Sequence, residues 1–338
     1  MAESDKNEIF MSPAPHVVTP VKTQTLMLDV IIALLPLTAY GIYLFSIPAL
    51  VRIIVSVLCC VGFESLFRLI CNLDIRVKDL SAVITGLLIA LVIPPNLPIW
   101  MLILGCFFAI VVAKEFFGGL GANVFNPALV GRAFMFASFS GAMTSWIQPG
   151  NSFFDAMSTA TPLKLINAKE GIALSASEIA KTLNLGSSTD LYTQLILGNH
   201  AGCIGETSIL LILLGFAYLL FKKVIDWRTP VTMMVTAVAI TAIGGINPIL
   251  TLTSGGLAFG AVFMATDYVT SPVTPKGKLL FGAGCGLITG LIRLFSGMPE
   301  GVMYSILIMN AVVPFLNKII PVKYGYVKPP KKNKEAAK

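Results

Sequence analysis

The chain has 338 residues, of which only 12% are charged against 56% hydrophobic, whereas a soluble domain carries roughly 25% charge. Too few polar side chains remain to cover a globule in water, so most soluble folds are excluded and lipid is the natural solvent for most of the chain. The net charge of +7 does not point to nucleic acid, because the tail from Pro321 to Lys338 holds six Lys against one Glu and supplies five of the seven charges.

In chain order, a polar, acidic lead (1–25) comes first; it lacks the basic start and early apolar core of a cleaved signal peptide, so the first apolar run is expected to stay as a helix. Ten apolar runs follow, at about 26–45, 49–69, 80–94, 98–113, 126–142, 206–221, 230–246, 250–266, 278–294 and 301–320. None alternates with a period of two, as every strand of a membrane barrel must, so all are read as helices. The expected fold class is all-α: a polytopic membrane protein of about ten transmembrane helices. A polar stretch from about Gly141 to Gly205 separates the fifth run from the sixth and is the one substantial segment expected outside the bilayer.

Lys and Arg in the short connections set the orientation. With the N-terminus inside, the inner side collects Lys6, Lys22, Arg68, Arg76, Lys78, Lys114, Lys222, Lys223, Arg228, Lys276, Lys278 and Lys318, while the outer short loops hold only Arg293. Cations resist translocation, so both termini are expected in the cytoplasm and the long loop outside it, with the basic tail against anionic lipid. The text after the fourth run (KEFFGGLGANVFNPALVGRAF) is similar to that after the ninth (IRLFSGMPEGVMYSILIMNAVVPF), and TGLLIALVIPP in the third run to GGLAFGAVFMATDYVTSP in the eighth. Two five-helix repeats follow from this, or else chance likeness of Gly-rich apolar text. An odd number of spans per copy inverts the second copy, as in many transport proteins. The expected segments are 1–25, cytoplasmic; 26–142, first repeat; 143–205, extracytoplasmic loop; 206–320, second repeat; and 321–338, cytoplasmic tail.

Six cysteines (Cys59, Cys60, Cys71, Cys106, Cys203 and Cys285) are scattered without a C-x-x-C pair, which argues against an iron–sulfur or zinc site within the chain. They read as small buried hydrophobes, although a single Cys can serve a site shared with a partner protein. Gly118, Gly119 and Gly121 are not a dinucleotide fingerprint, since no strand or βαβ unit surrounds them; a tight turn and close helix approach suit them, with Asn126 capping and Pro127 opening the next helix. Asn126-Pro127-Ala128 is also a tripeptide of aquaporins, but the second copy, Asn247-Pro248-Ile249, stands elsewhere in its repeat.

The sharpest motif lies in the outer loop. Residues Asp155 to Thr161 fit the pattern Asp-x-x-Ser/Thr-x-Ala-Thr, which average residue frequencies produce by chance about once in a hundred chains of this length. Read structurally, it is a Ser/Thr-rich loop in which Thr161-Pro162 starts a helix. It also resembles the site at which a flavin transferase joins FMN through its phosphate to a threonine hydroxyl. On that resemblance Thr161 is the acceptor and Asp155, Ser158 and Ala160 are the surrounding motif; many such sites have Gly where Thr159 stands.

With FFGGLGANVFNPALVGRAF (116–134), DAMSTATPLKL (155–165) and MATDYVTSPV (264–273) in this order on ten runs, nearly the whole chain resembles the D-subunit family of the Rnf electron-transport complex. Its relative is the B-subunit family of the sodium-pumping NADH:quinone oxidoreductase, which usually has a longer N-terminal extension. The resemblance implies a multi-pass subunit of a prokaryotic inner (plasma) membrane assembly that moves electrons between ferredoxin and NAD while pumping sodium ions or protons, not catalytic alone. It implies covalent FMN at Thr161 and a noncovalent flavin such as riboflavin in the helical core, which no motif locates. Partners implied are a second FMN-bearing subunit, an NADH and ferredoxin module, and a flavin transferase for maturation. The competing reading is a solute channel or permease, since inverted five-helix repeats also describe urea and ammonium transporters.

Two further residues are candidates for cofactor binding. Arg132, costly in lipid, must face a cavity, a phosphate or a carboxylate: it contacts a flavin or its phosphate, or makes a structural ion pair. Asp267, beside Thr266, Thr270 and Ser271, coordinates a cation, hydrogen-bonds a flavin ring, or caps a helix in a polar turn. Asp29 lies in a run; Glu64 and Arg68, four apart, are placed to pair. His16 and His200 are expected in solvent.

Overall fold

The computed structural model describes residues 22–74, 77–147, 188–296 and 301–319. Among them every regular element is helical. Helix α1 (Thr23–Ile70) carries the first two predicted runs, which meet at Ser46, where φ is +54° and the backbone leaves the helix. Pro48, two residues on, reinforces the break, because it has no N–H to donate to a carbonyl of the preceding turn. Then come α2 (Ser81–Leu91), α3 (Ile99–Phe107) continued by a π turn (Phe108–Val112), α4 (Pro127–Ser138) and the short α5 (Ser140–Met143).

The second half of the chain comprises α6 (Ser188–Leu197), α7 (Ile209–Phe221), α8 (Arg228–Ile243), α9 (Pro248–Thr253), α10 (Leu257–Phe259) continued by a π turn (Gly260–Met264), α11 (Pro275–Phe295) and α12 (Val302–Leu316). Each predicted run thus carries a helix, but three described helical stretches alone have the length and apolarity to cross a membrane: Thr23–Ile70, Ile99–Phe117 and Pro275–Phe295. The 11 residues of α2 reach about 16 Å at 1.5 Å per residue, half of a hydrocarbon core of about 30 Å. Nearly all of α2 is buried inside the bundle; its apolarity answers to protein, not to lipid. The eighth run is interrupted, α9 ending before the Ser254–Gly256 turn and α10 starting after it.

The outward surface is apolar: Phe221 and Ile243 are 85% and 88% exposed, an arrangement suited to lipid or to a neighbouring protein. Within the bundle, α8 and α11 pack through a stripe of glycines. A Cβ at Gly282 would collide with Thr232 and one at Gly286 with Thr236, while one at Gly290 would stand 2.8 Å from Ile240 Cγ2. Small residues at every fourth position let two backbones approach closely enough to be held by van der Waals contact.

The returning end of the long loop packs against the helices: Ala201, Cys203 and Ile204 are buried, and Ile204 N and Gly205 N donate to Ile93 O (3.3 Å) and Leu91 O (2.7 Å). The segment fills the space left where α2 stops at Leu91 and the chain runs on through Pro94 and Pro95. One expectation needs correction: Arg293 is not in a loop but in the last turn of α11, where it is buried and donates to Thr251 O (2.7 Å) and Ser254 O (3.1 Å) at the end of α9.

Candidate functional site

A cleft lies between the N-terminal part of α1, α2, the turn before α4, α7 and the π turn after α10. Its walls are mainly apolar (Val30, Leu88, Leu219 and Phe263 among them), with Ser81, Lys114, Asn123 and Asp267 as polar groups. That composition suits an organic ligand held by a few directed hydrogen bonds.

The chain reaches this shape through two turns. After the first π turn, Gly118, Gly119 and Gly121 adopt φ of +111°, +86° and +98°. At Gly119 the conformation is required twice over, since a Cβ there would also lie 2.5 Å from the Arg68 guanidinium. The turn delivers Asn126, whose Oδ1 accepts from Ala128 N (3.0 Å) and Leu129 N (3.4 Å) and so caps α4, with Pro127 in its first position. Asn126 Nδ2 donates to Met264 O (3.2 Å), joining this cap to the end of the second π turn. Asn310 of α12 is buried beside them; with its amide turned so that both ends are satisfied, it donates to Thr270 O (3.2 Å) and accepts from Asn126 N (3.1 Å).

The second turn carries Asp267, which lines the cleft and accepts from the Thr270 hydroxyl (2.9 Å). Beside it, Tyr268 donates to Val224 O. Behind the opposite wall lies a group of buried charges that the sequence alone presents as topology signals or a single pair. Lys114 Nζ is 2.9 Å from Glu64 Oε1 and 2.8 Å from Ser81 Oγ. Arg68 Nε is 3.3 Å from Glu115 Oε2 but 4.0 Å from Glu64. Each cation's closest carboxylate therefore lies on another element, not one helical turn away. The signal that could have found this group is the abrupt Lys114-Glu115 pair at the end of an apolar run.

Lys114 fits the cleft in chemistry as well as position. Its ammonium has three N–H donors, of which Glu64 and Ser81 take two, and a buried donor without a partner is costly.

Arg132 stands elsewhere. It is buried on α4, with Nη1 3.1 Å from Glu206 Oε1 and Nη2 donating to Cys203 Sγ at 3.5 Å. It lines a second, narrow pocket shared with Glu206, Gly256 and Arg293. The structure thus does not bring Arg132 and Asp267 to one cavity. Asp155, Ser158, Ala160 and Thr161 lie outside the described residues. Glu206, buried in the returning end of the loop, escapes sequence reasoning because nothing in its local text marks that segment as interior.

His200 is partly exposed, but its Nδ1 is shielded from solvent, and burial lowers its pKa to about 4, against a weaker opposing bond to the Gln194 backbone. Among the described residues no group of three or more His, Cys, Asp or Glu is placed to hold a metal ion.

Comparison with known proteins gives a consistent pattern. The model of the NQR2, RnfD, RnfE family matches residues 10–325. The chain is 42% identical over 332 residues to the D subunit of the proton-translocating ferredoxin:NAD(+) oxidoreductase complex of Clostridium ljungdahlii, covering 96% of this chain and 98% of that protein. It is also 42% identical over 321 residues to the D subunit of the Na(+)-translocating ferredoxin:NAD(+) oxidoreductase complex of Acetobacterium woodii, covering 95% and 96%. The D subunit of the ion-translocating oxidoreductase complex of Methanosarcina acetivorans is 34% identical over 319 residues, covering 94% and 97%.

Proposed function

The chain belongs to the NQR2, RnfD, RnfE family, and from that premise we propose that it is the D subunit of a membrane-bound ferredoxin:NAD+ oxidoreductase complex that couples electron transfer to cation translocation. The observation that carries this reading is similarity over almost the full length to subunits bearing that name. Relatives named for protons and for sodium ions are equally similar, at 42%, so the reading covers a translocated cation of either kind. The same names favour electron transfer over the solute-channel alternative. The protein acts with other subunits, including a second FMN-bearing one and an NADH and ferredoxin module, and is not catalytic alone.

Its own contribution is to hold redox groups. FMN is joined by a phosphoester to Thr161 on the outer loop, by a flavin transferase that reads Asp155, Ser158 and Ala160. The motif supports this, as does the way both ends of the loop meet: Trp146 packs against Ala201 and Cys203, so the intervening segment starts and finishes at one place. A noncovalent flavin such as riboflavin occupies the inner cleft, with Lys114, Ser81, Asn123 and Asp267 available to its polar edge and apolar walls around its ring. Bound flavin supplies electron-carrying chemistry; the protein's groups bind it, orient it and exclude bulk water. Arg132 contributes from the outer side through its ion pair and the cavity beside it. The architecture read for the whole chain is ten spans in two inverted repeats, with both termini in the cytoplasm.

In-gel fluorescence tests the reading. Protein co-expressed with a flavin transferase, denatured and run on a gel, is expected to fluoresce under ultraviolet light, and Thr161→Ala is expected to abolish the band. Wild-type protein without covalent flavin under these conditions would overturn the assignment and return the solute-channel reading to consideration.

A further inference from the structure

A third pocket adjoins the cleft, where α7 ends and α8 and α11 begin. Its walls are the turn between α7 and α8 (Val224, Ile225 and Asp226), Thr229 in the first turn of α8, and the turn before α11 with Lys278 just beyond it. One carboxylate holds two cations here: Asp226 Oδ2 accepts from Arg228 Nη1 (2.9 Å) and from Lys278 Nζ (3.3 Å). Asp226 Oδ1 also accepts from Arg228 N (3.1 Å), and Thr274 Oγ1 accepts from Gly277 N (3.1 Å), so the protein's own side chains cap the starts of α8 and α11. Each cation gives Asp226 one side-chain N–H of the three that an ammonium carries or the five of a guanidinium. The balance of charge is positive, and Lys223 and Lys276 are exposed close by in the chain. Thr229 is an independent sign of a ligand. It is 2% exposed and lines the pocket, yet its hydroxyl has no hydrogen-bond partner among the described residues, and a buried donor without an acceptor is costly.

The surroundings of these charges are apolar. Val273 in the pocket wall is exposed, as is Trp227, whose ring centroid is 5.8 Å from the Arg228 guanidinium carbon. From this end α8 and α11 run side by side in the same direction, since Gly282 packs against Thr229 and Thr232, Gly286 against Thr236 and Gly290 against Ile240. Their outward residues, Val235 and Ile243 on α8 and Leu280 and Leu287 on α11, are exposed. Cations and a Trp at the start of apolar helices mark the level at which the headgroups of a bilayer lie. An exposed apolar face that continues from that level suits acyl chains.

We propose that this pocket binds the headgroup phosphate of an anionic phospholipid, held by Lys278, Arg228 and the Thr229 hydroxyl, with the acyl chains along the exposed faces of α8 and α11. Charged donors and a hydroxyl converging on one place match the acceptor oxygens of a phosphate, and basic pockets between membrane helices recognise anionic headgroups. Asp226 sets the spacing of the two cations and leaves their remaining donors to the ligand. A zwitterionic lipid brings a cation of its own, which the positive pocket repels. A free phosphate makes no use of the apolar faces beside it. The inference needs only that the chain lies in a membrane and is independent of any bound flavin.

The experiment uses the assembled complex, stripped of native lipid in detergent and titrated with dioleoyl phosphatidylglycerol, with bound lipid counted by native mass spectrometry. Wild type is expected to take up one phosphatidylglycerol that the double variant Arg228→Gln/Lys278→Gln binds about thirtyfold more weakly, each cation contributing about fivefold at a membrane surface. Thr229→Val removes the hydroxyl and keeps both charges, and should weaken the same step by about fivefold. Lys22→Gln/Lys78→Gln removes two exposed cations that do not line the pocket and should bind as wild type does. Dioleoyl phosphatidylcholine should not compete, and inorganic phosphate in large excess should not displace the lipid. Displacement by phosphate would make this a site for a free anion, and lipid uptake that begins only after the soluble subunits are removed would give the pocket to a partner protein. Either result overturns the proposal, as does equal binding by wild type and the two pocket variants, or an equal loss in the control.

Discussion

Lys114 ends an apolar run and by position counts among the inner-side cations, yet it is 2% exposed and held between Glu64 and Ser81. A buried pair contributes little over an apolar pair, but removing one partner strands the other charge. Lys114→Met is therefore expected to destabilise the protein by about 3–5 kcal/mol, and Glu64→Gln in the same chain to recover most of that loss. Thermal unfolding of the two variants checks it; equal losses in single and double variants would refute the pairing argument. His200 allows a pH prediction. In the unfolded chain its imidazole titrates near 6.5, whereas in the fold it stays neutral down to about 4. Between those values the unfolded state binds a proton that the folded state refuses, so stability falls as pH drops from 6.5 toward 4. The unfolding midpoint should decline between pH 7 and pH 5, and His200→Gln should shrink that decline.

Elements with regular texts were legible, and their meeting places were not. The Asn126-Pro127 pair could be read as a helix start because capping and the fixed φ of proline are local effects, and the structure has that cap. The glycine stripe of α11 is visible as Gly282, Gly286 and Gly290, but its partner, Thr232 to Ile240 of α8, is known only from packing. That packing separates two otherwise similar substitutions. Gly286→Ala drives a Cβ to 2.5 Å from Met233 O, a backbone atom that a rotamer change cannot move, and is expected to cost about 1–3 kcal/mol. Gly62→Ala in α1 meets nothing within 4 Å and is expected to be neutral, or stabilising by up to about 1 kcal/mol from helix propensity. The unfolding midpoint should fall for Gly286→Ala and hold or rise for Gly62→Ala; an equal loss in both would mean that the stripe is not a contact surface.

For the molecule as a whole, the positive charges on one side predict that a cysteine introduced at Ser152 reacts with an impermeant thiol reagent applied from outside intact cells. Native Cys71, exposed beyond the end of α1, should react only after the membrane is opened and so serves as the internal control. Reversed reactivity of the two would invert the topology.

Composition, run lengths and caps by themselves determined that the described residues are helical and apolar on their outward surface, because these follow from the solvent and from contacts within a few residues. The family, too, was legible, through texts such as those around Asn126, Thr161 and Asp267. Only the tertiary structure decided that α2 is a buried half-length helix, that Lys114 and Arg293 are interior, and that Glu206 reaches from the loop to the break at Gly256. The physical reason is distance along the chain. A charge at the end of an apolar run has the same local text whether it meets water or a carboxylate some fifty residues away, as between Lys114 and Glu64, and only packing determines which it meets.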